Sequence, residues 1–198
     1  MDRVRYFLGV LCLIMLPPGV LFWFVIHPWA RWWRRLGPRR TYLIMVPVLI
    51  AVGAWLYRVR GPLLGADLGT NWGLIAIAAV LFGAMTWLET QYWKHLSMAT
   101  LVGVPELSRP EERKSRLLQE GIYRVVRHPR YASAGLGLMA SGLIVNHAGM
   151  YILILALLPA GYVMVVLEER ELVARFGEAY REYQRDVPRL IPRLRRDR

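Results

Sequence analysis

Two groups of polar residues in this 198-residue sequence have the types and spacing that chemistry requires. One is the run Gly121-Ile122-Tyr123-Arg124-Val125-Val126-Arg127-His128-Pro129-Arg130-Tyr131, and the other is the adjacent pair Glu168-Glu169. Pro129 suits the first turn of a helix, where its missing N–H costs nothing. The free N–H groups of such a turn attract an anion such as a carboxylate. The two glutamates suit an ammonium group or ribose hydroxyls. Together these parts fit a zwitterionic ligand that carries a nucleoside. Each part also has a plainer use. Arg-His-Pro at a helix start serves as a cap and a lipid-headgroup contact, and Glu168-Glu169 can be the exposed start of a tail helix. His27, His95 and His147 are scattered as interfacial residues are, and no metal-ligand spacing, nucleophile elbow or phosphate-binding loop is present. Cys12 is the only cysteine, so no intrachain disulfide is available.

The elements that must hold these groups are read from hydropathy. The chain is 56% hydrophobic yet has a net charge of +12, with a mean hydropathy of +0.31. A chain both very apolar and very basic must segregate the two, and a bilayer does so. The apolar residues come in long runs, which argues against a basic soluble domain that binds nucleic acid. The predicted fold class is all-α, a polytopic transmembrane helical bundle of about five spans with a C-terminal cytoplasmic helix. The spans fall at Tyr6–Ile26, kinked at Pro17-Pro18, then Thr41–Tyr57, Trp72–Trp93, Tyr131–Val145 and Gly149–Leu167. Crossing the hydrocarbon core takes about 20 residues, so the second and fourth are short. The fourth is therefore predicted to be partly re-entrant or shielded by protein. Tyr6–Ile26 is longer than a signal-peptide core, and Trp29-Ala30-Arg31-Trp32-Trp33-Arg34-Arg35 after it suits a membrane interface.

Asn146-His147-Ala148 leaves only a tight turn between the last two spans, which must then form an antiparallel hairpin. A hairpin brings its outer ends together. Tyr131 and Glu168 should be neighbours although they stand 37 positions apart. Lysines and arginines alternate by loop, 22 on one side and 4 on the other. The positive-inside rule places the N-terminus outside and the C-terminus, with both polar groups, at the cytoplasmic face. From Glu168 to Arg185 a polar tail helix is predicted, with one face made by Leu172, Val173, Phe176, Tyr180 and Tyr183. Pro188 and Pro192 end it, and the basic run Arg193–Arg198 suits lipid headgroups.

Taken in order, Gly121-x-Tyr123-x-x-x-Arg127-His128-Pro129-x-Tyr131, an apolar hairpin, Glu168-Glu169-x-x-Leu172, Phe176-Gly177-x-x-Tyr180-x-x-Tyr183, Val187-Pro188 and Pro192 form one pattern. It resembles the isoprenylcysteine carboxyl methyltransferase and phospholipid N-methyltransferase superfamily of membrane enzymes, over roughly residues 117–192. One departure is Ser133, where many relatives have glycine. The resemblance divides the chain into residues 1–115, N-terminal spans and cytoplasmic loop, and 116–198, a cofactor-binding core. It implies S-adenosylmethionine as cofactor, held by Tyr123, Arg127, His128, Pro129, Tyr131, Glu168 and Glu169. It makes His128 and Glu168 the catalytic candidates, with Glu168 the base where an amine must lose a proton. The acceptor is lipophilic and enters from the membrane lipids: a prenylcysteine carboxylate, a phospholipid amine or another small lipophilic molecule. In the prenylcysteine enzymes a basic residue stands about one turn before the acidic pair, where this chain has Met164, Val165 and Val166. The alternatives are a sterol-type reductase that uses NADPH and a non-catalytic membrane protein of the same fold.

Overall fold

The computed structural model describes residues 1–94, 107 and 117–193, which are predominantly helical. His95, most of the charged loop after it and the basic end 194–198 lie outside the described residues. The first helix, α1, spans Asp2–Ile26 and runs on as one helix through Pro17 and Pro18. A proline gives no N–H to the carbonyl four residues back, so Pro18 deprives the Ile14 carbonyl of its helical donor. The second helix, α2 (Ala30–Arg58), presses Gly53 against that carbonyl. A β-carbon on Gly53 would lie 3.3 Å from Ile14 O.

Helix α2 is broken at Gly37, whose φ of 77° and ψ of 167° suit glycine alone. Residues 30–36 form a leading segment and 38–58 the apolar one. Pro38 starts the second part, and Thr41 Oγ1 donates to Gly37 O at 2.9 Å. The second membrane helix is thus longer than the predicted Thr41–Tyr57. A short α3 (Arg60–Leu64) follows. Helix α4 (Trp72–Tyr92) is capped by Asn71, whose Oδ1 accepts from Leu74 N at 3.1 Å.

A 3-10 turn at Gly121–Arg124 leads into α5 (Pro129–Val145), and α6 (Ala148–Phe176) completes the predicted hairpin. Its turn is locked at Asn146, which has a left-handed φ of 47°. The Asn146 side chain donates to Gly69 O at 2.8 Å and accepts from Tyr151 Oη at 2.7 Å. Helix α5 has 17 residues, short of the roughly 20 a free span needs. It packs on α4, α6 and α1 together, so protein shields it. Glycine makes this possible: a β-carbon on Gly137 would lie 2.7 Å from Met85 Sδ of α4. Among the described residues four helices are long and apolar enough to cross a membrane: α1, residues 32–58 of α2, α4 and α6.

The tail differs from expectation. No separate helix starts at Glu168. Instead α6 continues through Glu168 and Glu169 to Phe176, where Gly177 (φ 60°, ψ −131°) ends it, and α7 takes Glu178–Asp186. The expected apolar face does form. Tyr180, Tyr183 and Val187 are buried together against Leu172, Val173, Phe176 and Leu117.

Candidate functional site

The hairpin brings the two polar groups together around Glu169, a carboxylate only 4% exposed. Arg127 donates to its Oε1 through Nε at 3.0 Å and Nη2 at 2.8 Å. His128 Nε2 reaches the same oxygen at 3.2 Å. Arg189 donates to Oε2 through Nε at 3.1 Å and Nη2 at 2.6 Å. A buried carboxylate needs such partners, because an unpaired charge there is very costly. The hydrogen bonds to Glu169 in turn hold the Arg189 guanidinium above its ordinary pKa.

The same knot straps the chain beyond α7 onto the start of α5. Arg127 N donates to Pro188 O at 2.9 Å and His128 N to Arg189 O at 3.0 Å. Arg127 Nη1 adds bonds to Gln184 O, at 2.8 Å, and to Val187 O. The N–H groups of Arg127 and His128 are therefore filled by carbonyls. Pro129 has none, so any anion at this helix start meets Arg130 and Tyr131.

Glu168 takes no part in the knot. It is partly exposed and within electrostatic reach of Tyr123 and Tyr180. Burial holds both phenols well above their ordinary pKa, and the Tyr183 phenol is pushed up to about 12 by the same cause. Tyr183 Oη donates to Tyr123 O at 2.5 Å. Tyr180 Oη is buried with no hydrogen-bond partner among the described residues.

Beside the knot lies a cavity of about 840 Å³, within the range of small-molecule sites. Its walls come from α1, α4, α5, α6, the 3-10 turn and the strap residues Leu190, Ile191 and Pro192. They are almost entirely carbon and thioether, with Met15, Met139 and Met164 among them. The hydroxyl and charged side chains on the wall are Arg130, Tyr131 and Tyr162. The Arg130 guanidinium lies 5.4 Å from the Trp23 ring centre and 5.8 Å from that of Tyr131, in reach of cation–π attraction. Tyr162 Oη accepts from Arg189.

Of the predicted residues, Arg127, His128 and Glu169 meet in one network, and Pro129 is buried as the first residue of α5. Tyr131 faces the cavity, while Tyr123 and Glu168 stand together off its wall. Arg130, Arg189, Trp23 and Tyr162 also stand at the site, and none was a predicted site residue. Arg130 stood at an open position of the pattern, and nothing in sequence ties Trp23 to it. His27 and His147 are both buried. His27 Nδ1 bonds Glu171 Oε1 at 3.1 Å and stacks on Trp23 with centres 5.3 Å apart, while Arg34 takes Glu171 Oε2 at 3.1 Å. Ser133, the departure from the pattern, is buried and donates to Glu89 Oε1 at 3.3 Å.

Residues 73–179 match the model of a family described as phospholipid methyltransferase. The chain is 30% identical over 187 residues to a methanethiol S-methyltransferase of Pseudomonas deceptionensis, covering 84% of this chain and 65% of that protein. It is 29% identical over 180 residues to methanethiol S-methyltransferase 2 of Bradyrhizobium diazoefficiens, covering 83% and 64%. A methanethiol S-methyltransferase of Mycobacterium tuberculosis is 30% identical over 171 residues, covering 82% and 68%. The chain thus spans just under two thirds of the length of the first two relatives. No solved structure matches it.

Proposed function

The chain belongs to the phospholipid methyltransferase family, and from that membership we propose that it moves a methyl group from S-adenosylmethionine to a small lipophilic thiol. The observation that carries the reading is the apolar cavity against the Arg127-His128-Pro129-Arg130-Tyr131 segment. It offers an apolar volume for a greasy acceptor next to groups suited to a polar donor.

The chain's residues fit that donor. Glu168, partly exposed beside Tyr123 and the unpartnered Tyr180 hydroxyl, suits its ammonium group or ribose hydroxyls. The first-turn N–H groups of α5 at Arg130 and Tyr131 suit its carboxylate. Tyr131 stands on the cavity wall beside Arg130. S-adenosylmethionine, when bound, supplies an electrophilic methyl carbon on a sulfonium sulfur. The protein's task is then alignment and exclusion of water. Arg127, His128 and Glu169 serve this as positioning residues: they fix the strap whose Leu190, Ile191 and Pro192 close one side of the cavity. Charge alternation supports a cytoplasmic site, where a water-soluble donor is at hand.

The relatives' names support a thiol acceptor in preference to a prenylcysteine carboxylate or a phospholipid amine. Calorimetric titration of the purified full chain with S-adenosylhomocysteine and, separately, NADPH tests the donor. Binding of S-adenosylhomocysteine alone is expected. Binding of NADPH alone would overturn the reading in favour of a reductase.

A further inference from the structure

We infer that Arg130 is the residue that ionises the acceptor: its guanidinium holds the thiol in the cavity as a thiolate, with no general base facing it among the described residues. The inference rests on the thiol reading above. Among the described residues, no carboxylate or imidazole lines the cavity. Glu169 and His128 are bonded to each other, and Glu169 also to Arg127 and Arg189. Glu168 lies off the wall. The cavity's one positive group, Arg130, pairs with no carboxylate among the described residues.

A cation in an apolar cavity calls for an anion. A protonated lipid amine would meet like charge there and no base. A carboxylate, strongly hydrated, would trade its water for one stacked guanidinium and carbon walls. A thiolate is large, polarisable and easier to desolvate, and thioethers and aromatic rings suit it. A thiol such as cysteine ionises near about 8.5, and an opposite charge within about 4–6 Å lowers such a pKa by about 1–3 units. The thiolate is the nucleophile. The titratable and charged groups around Arg130 are Tyr131 on its own helix, Tyr92 and Glu89 on α4, Tyr123 in the 3-10 turn and Tyr162 on α6, with Glu168 acting on Tyr123 and Arg189 bonded to Tyr162. Glu89 is bonded to Ser133 and Arg189 to Glu169, so Arg130 is the cation on the wall itself that no carboxylate bonds among the described residues.

In the transfer, the thiol proton leaves to water. The thiolate sulfur forms a bond to the methyl carbon. The bond from that carbon to the donor's sulfonium sulfur breaks, and its electron pair stays on that sulfur.

The test uses the full chain saturated with S-adenosylhomocysteine and thiophenol as the bound probe, its ionisation followed by thiolate absorbance. In the wild-type protein the bound probe should ionise at least about one pH unit below the free probe. Arg130→Gln should abolish that shift and Arg130→Lys should keep most of it, each variant being saturated with S-adenosylhomocysteine at its own affinity. An unshifted probe in the wild-type protein, or an equal shift in Arg130→Gln, overturns the inference. So does an Arg130→Gln that leaves the shift intact but weakens S-adenosylhomocysteine about tenfold, because Arg130 would then hold the donor's carboxylate. Failure of the wild-type protein to bind S-adenosylhomocysteine at all would instead remove the methyltransferase reading, and the inference with it.

Discussion

At Glu169 two guanidiniums and an imidazole converge on one buried carboxylate. Removing one member of a buried charge set costs about 3–5 kcal/mol, because the others are left uncompensated. Glu169→Gln should therefore lower the midpoint of thermal unfolding in detergent well beyond what Glu168→Gln does. Glu168→Gln should leave stability nearly unchanged and weaken S-adenosylhomocysteine at least about tenfold, read by calorimetry. Equal loss of stability in both variants would contradict the division of labour between the two glutamates. The alkaline limit follows from Tyr183. Its phenol ionises near about 12 in the folded chain and near about 10 when unfolded. Below about 10 both states keep the proton. Above it the unfolded chain loses the proton that the folded chain retains, so stability falls as pH rises through this window. Tyr183→Phe should flatten part of that fall in thermal midpoints measured from pH 9 to 12. The pattern of the sequence made the two glutamates look equivalent, because adjacency carries no direction. On a helix, adjacent residues stand about 100° apart, so only packing could say which one turns into the bundle.

Helix α5 shows how far pattern alone reaches. Its start at Pro129, its end at Asn146 and its place in a hairpin were all readable from proline, the polar turn and hydropathy. Its reliance on α4 was not, because that contact rests on glycine at Gly137 meeting Met85, a pairing between distant segments. The tail departs from expectation for a related reason. Polarity rises at Glu168, which marks the edge of an apolar run but not the end of a helix; Gly177 supplies the actual break. At the other end of α6, a β-carbon on Gly149 would overlap the Leu63 carbonyl of α3. Backbone cannot give way as a side chain can, so Gly149→Ala should cost about 1–3 kcal/mol. It should show as a lowered unfolding midpoint with unchanged S-adenosylhomocysteine affinity in the protein that remains folded.

The molecule as a whole places a polar knot and an apolar cavity side by side. Composition and the long apolar runs were enough to predict a helical bundle with helices fit to cross a membrane. They could not predict the cavity, whose wall joins Trp23 of α1 to Arg130 of α5 and Ile191 of the strap, three positions with no common signal in sequence. A protease site placed at the C-terminus should be protected in intact cells and cut in inverted vesicles. Cutting in intact cells would place the site on the opposite face. The most direct test of the function supplies the full chain, in nanodiscs containing phosphatidylethanolamine, with methyl-labelled S-adenosylmethionine and methanethiol, and follows the label into headspace gas and lipid. Label in dimethyl sulfide, with none above background in phospholipid, is the predicted result. Label in phospholipid with no dimethyl sulfide would contradict a thiol acceptor, and with it the role given to Arg130.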